Sequence, residues 1–171
     1  MKAEQETIIK EFTDSLAHLD RVLEQVPPEC LDWSEDEDEW TIRQILHHLA
    51  EDCNVYSFII EQGLAVPNCK VFFGEFPGNK EWADRLAFDQ RPVGIALELM
   101  HAHRKFLAEL VSHFPERWDN KVNFYNESGE KIADQTISAM ITMLTEHMGE
   151  HILTIQNILK VNLGSSDVGS Q

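Results

Sequence analysis

Residues Thr136 to Lys160 read TISAMITMLTEHMGEHILTIQNILK, a long run with a regular apolar pattern. Its apolar positions recur at steps of three and four residues, which is the period of an amphipathic helix. Two histidines, His147 and His151, occupy positions in this stripe where leucines would be expected. Residues four apart on a helix project from one face about 6 Å apart, so both rings can bind one metal ion.

Placing two imidazole rings in an apolar stripe has an energetic cost. Burying polar groups without partners is unfavourable, and a shared metal with one more ligand from a facing helix would remove most of that cost. The run therefore predicts a buried helix with a metal site. It also requires a third ligand from elsewhere in the chain.

The composition of the chain indicates one compact domain. The chain has 171 residues, 43% of them hydrophobic, which is enough for a sizeable core, and no break in composition divides it. We expect a single domain over residues 1–162 and a flexible C-terminal tail over residues 163–171.

The net charge and the lack of long apolar runs disfavour several kinds of partner. Thirty acidic residues against fourteen basic ones give a formal net charge of −16, which disfavours nucleic acid and anionic membrane surfaces. The first residues lack the apolar core of a signal peptide, and no run approaches the ~18 apolar residues of a membrane span. We therefore expect a cytoplasmic protein whose three cysteines are reduced thiols.

Four amphipathic segments predict an all-α four-helix bundle. They cover about 3–25, 42–63, 92–113 and 136–160, and the connections between them are long enough to cross the bundle. Gly63 is expected to end the second helix. A small β-hairpin is predicted at about 121–132, and Asp134 is expected to cap the fourth helix.

The connection between the second and third helices is long and aromatic. Residues 63–91 contain five aromatic side chains and a possible short helix from about Lys80 to Ala87. Connections of this length are rarely structureless in a compact domain. This one is a candidate lid or wall for a substrate, or alternatively a seal over the core.

The start of the second helix supplies the missing ligand. Thr41 and Gln44 fit a capping box, in which each side chain bonds the backbone N–H of the other, and Trp40 can pack from the preceding position. His48 falls at the edge of the buried stripe of this helix, whereas His47 points about 100° away and is expected to be exposed. We therefore predict His48 as the third metal ligand.

Three histidine ligands, His48, His147 and His151, would leave coordination positions open for water, as in catalytic rather than structural metal sites. Zinc at such a site can lower the pKa of a bound water to about 7. Glu150 and Glu51 are candidate catalytic bases near these histidines.

Other interpretations of these histidines compete with the metal site. A pair of histidines four apart on a helix also occurs by chance. Residues 147–151 also spell H-x-x-E-H, the inverted zinc-protease motif, but the twenty residues after His151 contain no glutamate to complete such a site. His103 lies near the stripe of the third helix and is either a further ligand or supporting group, or a hydrogen-bonded residue at the edge of the core.

Two motifs resemble one protein family. Residues 40–49, WTIRQILHHL, look like the W-(S/T)-x-x-x-(I/V)-L-x-H-L start of the second helix in the DinB/YfiT-like superfamily. Residues 147–152, HMGEHI, resemble the H-x-x-x-H of its fourth helix, and the spacing of about 100 residues between the motifs also fits. The resemblance implies a four-helix bundle, a three-histidine site for nickel or zinc, and a homodimer. It also implies metal-dependent hydrolysis, or transfer chemistry that uses a low-molecular-weight thiol.

The leading hypothesis is a metalloenzyme in which a divalent ion on His48, His147 and His151 activates water or a thiol against a small-molecule substrate. One alternative is a non-catalytic metal-binding or stress-responsive bundle protein, which buried histidines without a cleft would favour. Another is a purely structural bundle, which histidines more than ~8 Å apart would favour. Three imidazoles suit zinc, nickel, copper or iron, so the residues leave the metal open.

Overall fold

The computed structural model describes residues 1–165, and five α-helices and three short strands account for most of them. In chain order the elements are α1 (Ala3–Leu23), α2 (Ile42–Ala65), β1 (Cys69–Phe72), α3 (Asn79–Arg85), α4 (Gly94–His113), β2 (Lys121–Tyr125), β3 (Lys131–Thr136) and α5 (Ile137–Ser165). The four long helices correspond to the four amphipathic segments of the sequence. The short helix α3 lies where the aromatic connection was expected to contain one.

The long helices form a four-helix bundle with crossed connections. Helix α1 packs mainly against α4 and α5, and α2 packs mainly against the same two helices. Helices α1 and α2 therefore lie at opposite corners of the bundle, and so do α4 and α5. The α1–α2 and α4–α5 connections run across the ends of the bundle, which confirms the expected long crossovers.

A small sheet is built from the connections. Strands β2 and β3 form the predicted hairpin, with Lys121 opposite Thr136. Strand β1, which the sequence did not indicate, pairs in parallel with β2 and places Cys69 beside Val122. The sheet therefore ties the aromatic connection to the segment that precedes α5.

The start of α5 corrects one expectation. Asp134 does not cap this helix, because it lies within β3 and forms ion pairs with Lys121 and Lys131. The cap interaction comes from Thr136, whose hydroxyl oxygen accepts the backbone N–H of Ala139 at 3.1 Å. The hairpin is longer than expected, so the helix begins later in the chain.

The capping box of α2 is present as predicted. The Thr41 hydroxyl oxygen accepts the Gln44 backbone N–H at 3.2 Å, and the Gln44 side chain accepts the Thr41 backbone N–H at 2.9 Å. Gly63 does not end the helix, which continues to Ala65. The glycine instead allows close packing, since a Cβ there would lie 2.6 Å from side-chain atoms of both Ile137 and Val122.

The interior of the bundle consists of two apolar clusters with polar groups between them. One cluster joins the second half of α1 and the first half of α2 to the C-terminal part of α5. The other joins the opposite ends of these helices to Trp118 and β2. Ser57 and Arg104 are buried at the level where the clusters meet, so the bundle contains a polar layer.

Helix α5 continues past position 162, to Ser165, so the first residues of the expected tail are helical. Residues 166–171, the rest of that tail, lie outside the described residues. Within residues 1–165, none of the helices has an apolar stretch long enough to cross a membrane.

Candidate metal centre

Three histidines from two neighbouring helices converge at the surface of the bundle. Helix α2 carries His48, and one face of α5 carries His147 and His151, one turn apart. One ring nitrogen from each histidine lies within 4.8 Å of those of the other two. Nε2 of His48 and Nε2 of His147 lie 3.0 Å apart.

This geometry fits a single metal ion. Imidazole nitrogens bind zinc at about 2.0–2.1 Å, so two ligands of one ion lie roughly 3–3.4 Å apart. For three atoms within 4.8 Å of one another, some point lies within about 2.8 Å of all three. Small side-chain rotations therefore suffice to reach bonding distance. The separation of more than ~8 Å that would have favoured a purely structural bundle is not found.

Asp52 is a fourth polar group at this centre, and it was not predicted from the sequence. Its Oδ2 atom lies 3.0 Å from Nε2 of His147 and 3.4 Å from Nε2 of His48. Asp52 is one helical turn after His48, so the spacing H-x-x-x-D on α2 was the available signal. Acidic residues are frequent in this chain, and the spacing does not stand out without the position of α5.

The three rings differ in their affinity for protons. Burial lowers the pKa of His48, and burial with the neighbouring charges of His147 and His48 lowers the pKa of His151 to about 4. The hydrogen bond to Asp52 raises the pKa of His147 despite partial burial. His48 and His151 are therefore held as neutral imidazoles, the form that binds metals, and His147 is the ring that most readily keeps a proton.

Trp40 packs against two of the three rings. Its ring meets His48 edge to face with centroids 4.8 Å apart, and lies nearly parallel to His151 at 6.5 Å. The residue directly precedes the capping box, which fixes the entry of the chain into α2. The cap thus orients a side chain that limits the movement of two candidate ligands.

The remaining histidines near these helices do not join the cluster. His47 was expected to be exposed but is only 4% exposed, because Phe88 and Arg91 from the connection before α4 cover it. Its Nε2 lies 3.2 Å from the Arg91 carbonyl oxygen. His103 places its Nδ1 2.8 Å from the Ser57 hydroxyl oxygen, which corresponds to the hydrogen-bonded alternative at the edge of the core.

The two glutamates named as candidate bases have different environments. Glu51 accepts a hydrogen bond from the indole N–H of Trp82, and its pKa is raised by burial. Glu150 is 79% exposed and approaches Nδ1 of His147, the ring nitrogen on the opposite side from Asp52, at 3.9 Å. Glu51 therefore belongs to the lining of the adjacent cavity, whereas Glu150 is exposed on the outer side of the His147 ring.

An open cavity of about 560 Å³ begins at the centre. Helix α2 forms one wall, and the connection that contains α3 forms the other. The lining residues are His48, Glu51, Asp52, Val55, Tyr56, Phe73, Gly74, Glu75, Phe76, Asn79, Trp82 and Phe88. Some aromatics of the connection thus line this cavity, and one of them, Phe88, is also buried in the protein interior.

Comparisons with known proteins agree with this architecture. YfiT from Bacillus subtilis, described as a probable metal-dependent hydrolase with an unusual four-helix bundle topology, is similar in structure with a TM-score of 0.77. The two sequences are 18% identical, and the match covers 96% of this chain and 90% of YfiT, so the likeness concerns the fold. No protein of curated function matches the sequence. The family model for the DinB superfamily matches residues 11–155, and the chain therefore belongs to the DinB superfamily.

Proposed function

We propose that this protein is a metal-dependent enzyme in which His48, His147 and His151 hold a divalent ion at the wall of the cavity. The observation that carries the proposal is the convergence of three ring nitrogens within 4.8 Å of one another beside a space of about 560 Å³. A divalent ion at such a site supplies a Lewis acid that activates water or a thiol as a nucleophile. The cavity has the size of a small-molecule site.

Hydrolysis is the first reaction we propose. The description of YfiT as a probable metal-dependent hydrolase supports it, since the two proteins share a fold. Transfer that uses a low-molecular-weight thiol is the second reaction of the proposal. Zinc and nickel are the metals we propose, because the resemblance to the DinB/YfiT-like superfamily implies them and both accept neutral imidazole ligands.

Asp52 is the residue we propose as proton acceptor. Its carboxylate lines the cavity and lies beside Nε2 of both His48 and His147, so a nucleophile at the centre would be within its reach. Glu51 is the alternative, since it also lines the cavity and is held by a hydrogen bond from Trp82. Glu150 is less suited to this role, because its carboxylate lies on the outer side of the His147 ring.

Access to the centre argues against the alternative of a metal-binding protein without turnover. That alternative predicts buried histidines without a cleft. Here the cavity is lined by His48 and Asp52 and is open to solvent on one side. The arrangement therefore favours an enzyme.

A homodimer and a cytoplasmic location belong to the same proposal. Helix α4 exposes Ile95, Leu99 and Phe106, which provide apolar surface for a second copy. Light scattering of the purified protein, compared with a Phe106→Asp variant, tests the dimer. A single mass equal to that of one chain for the unaltered protein would contradict it.

Metal analysis of protein purified without a histidine tag tests the ligand set. We expect about one zinc or nickel ion per chain, at least tenfold less in His147→Ala and His151→Ala, and no change in His18→Ala, which removes an exposed histidine of α1. Equal and negligible metal in all four proteins would refute the metal site.

Activity measurements distinguish the proposed role of Asp52 as a proton acceptor from that of the metal ligands. We expect Asp52→Asn to keep its metal but to lose at least about 100-fold in the hydrolysis of simple esters or amides, since an amide cannot accept the proton. Glu150→Gln should retain activity within about threefold. Loss of metal in Asp52→Asn would instead assign the carboxylate as a ligand and contradict its role as a base.

A further inference from the structure

The cavity beside the histidines combines aromatic rings with negative charge. Five of its lining residues are aromatic and three are acidic, whereas none is lysine or arginine. The aromatic ones are Tyr56, Phe73, Phe76, Trp82 and Phe88, and the acidic ones are Glu51, Asp52 and Glu75. A ligand in this space therefore meets the faces or edges of π-systems together with carboxylates.

The basic side chains near this cavity lie outside its lining. The Arg91 guanidinium lies over the Phe88 ring, 6.0 Å from its centroid, and Arg91 lines an adjoining pocket that shares Glu51 and Phe88 with the cavity. Lys80 lies 3.9 Å from Asp38 and is not among the lining residues. Three carboxylates thus face the cavity, whereas the Arg91 guanidinium, which acts on Glu51, and the His147 ring, which bonds Asp52, lie outside its lining.

Two of the rings lie at the outer wall with much of their surface exposed. Phe76 is 53% exposed and packs against Trp82 with centroids 5.7 Å apart. Phe73 is 38% exposed and stacks on Phe124 at 5.6 Å. Both rings are held by a second ring, so each can present an apolar surface to a ligand without first being ordered.

The acidic groups differ in how firmly they are held. Glu51 accepts the indole N–H of Trp82, which fixes the carboxylate at the edge of the indole ring. Asp52 is held by His147 at the inner end of the cavity, and Glu75 belongs to the exposed loop at the outer end. Negative charge is therefore present along the length of the cavity.

We propose that this cavity binds an organic cation, an ammonium group attached to an apolar or aromatic moiety. Aromatic faces attract cations through the ring quadrupole, and carboxylates in a partly desolvated cleft add a Coulomb attraction. In the metal-free protein the same field repels carboxylates and phosphates. The inference deepens the proposed function, on which it rests for the reaction, by naming the substrate class.

Three probes of one shape test the charge preference. 3-Phenylpropylamine is cationic at neutral pH, 3-phenylpropan-1-ol is neutral, and 3-phenylpropanoate is anionic. We expect the metal-free protein to bind the amine at least about tenfold more tightly than the propanoate, with the alcohol between them. NMR titration of the indole N–H signal of Trp82, assigned with Trp82→Phe, locates the binding.

Variants that each remove one negative charge distinguish the effect of the cavity carboxylates on binding from that of the overall negative charge of the protein. Glu51→Gln and Glu75→Gln should each reduce the preference for the amine about threefold or more. Glu61→Gln removes the same charge from an exposed position of α2 outside the cavity and should leave the preference unchanged. Glutamine at position 51 retains an oxygen for the Trp82 indole, so the fold is expected to persist.

The result that would overturn the inference is equal or tighter binding of the propanoate, absence of binding by all three probes, or a preference that Glu61→Gln reduces as much as Glu51→Gln does. Repeating the titration with His147→Ala keeps the test separate from the metal. If that variant lacks metal and activity but retains the preference, the binding inference stands by itself. If metal and activity are present without the preference, only the substrate class fails.

Discussion

At the scale of single residues, the surroundings of His151 keep its ring in the neutral form that binds metals. Burial, together with the neighbouring histidine charges, lowers its pKa to about 4, and burial also lowers the pKa of His48. Both rings are therefore neutral at physiological pH. In acid this lowers the free energy of unfolding, because these histidines bind protons in the unfolded chain but not in the folded metal-free protein.

This difference predicts a pH dependence of stability. The pKa of His151 is lower in the folded state, so its contribution is present above about pH 6.5 and is lost as the pH falls towards 4. For His147 the sign is opposite, because its raised pKa stabilises the fold most below pH 6.5. We expect the free energy of unfolding of the metal-free protein to fall by ~1 kcal/mol between pH 6.5 and 4.5 through His151, about half the value that full burial would give, because the ring is partly exposed to solvent.

Urea unfolding of metal-free protein at several pH values provides the measurement. His151→Gln should flatten the pH dependence, whereas His18→Gln, at an exposed position of α1, should not. A His151→Gln profile as steep as that of the unaltered protein would show that other groups cause the acid sensitivity.

At the scale of elements, α2 and α5 each contribute one face to the site. Helix α2 presents His48, Asp52 and Tyr56 at steps of four residues, and all three line the cavity. Helix α5 supplies His147 and His151 at the same spacing. Because the two helices pack side by side, these faces meet along one edge of the bundle.

The packing at the far end of α2 depends on a glycine. A Cβ at Gly63 would lie 2.6 Å from side-chain atoms of Ile137 and of Val122. We therefore expect Gly63→Ala to destabilise the protein by about 1–3 kcal/mol, since overpacking outweighs the gain in helix propensity. Chemical denaturation measures the change.

Gly149 of α5 offers a matched control. An added Cβ there meets no atom within 4 Å, so Gly149→Ala should stabilise the helix by roughly 0.5–1 kcal/mol. Equal effects of the two substitutions would mean that the contacts of Gly63 do not limit its size.

At the scale of the whole molecule, Arg104 joins three helices across the polar layer. Its guanidinium donates to the carbonyl oxygen of Phe12 at 2.8 Å, the hydroxyl of Ser15 at 2.6 Å and the carbonyl oxygen of Leu144 at 2.7 Å. It also lies over the Phe12 ring, 4.3 Å from the centroid. The residue thus connects α4 to α1 and to the part of α5 just before His147.

Removal of this side chain should be costly. We expect Arg104→Ala to lower the free energy of unfolding by about 3–5 kcal/mol, since it leaves a cavity and removes three hydrogen bonds. Arg104→Met fills most of the volume without a buried charge and should cost at least about 1 kcal/mol less. Thermal and urea unfolding of the two variants test this order, and equal losses would contradict it.

The bundle was predictable because its helices carry local signals. Apolar residues at steps of three and four marked the four long helices, and Thr41 with Gln44 marked the start of α2. These patterns depend only on residues within one element, so they can be recognised without knowing which elements pack beside it. Strand β1 was missed because its hydrogen bonds come from β2, about fifty residues away.

Two errors in the interpretation of the sequence have the same cause. His47 was expected to be exposed from its angle on α2, but Phe88 and Arg91 return from a distant segment and cover it. Asp134 was expected to cap α5, but pairing with β2 holds it in a strand. In each case a contact between distant parts of the chain decided the outcome.

By itself, the sequence determined the helical bundle, its family and the three histidines that are candidate metal ligands, because helix periodicity and short motifs are local properties. Only the tertiary structure decided which groups stand together. Asp52 enters the centre because α2 packs beside α5, and the aromatic connection folds back to make a cavity with carboxylates on its wall. Proximity between distant residues depends on how the helices pack, which no local pattern encodes.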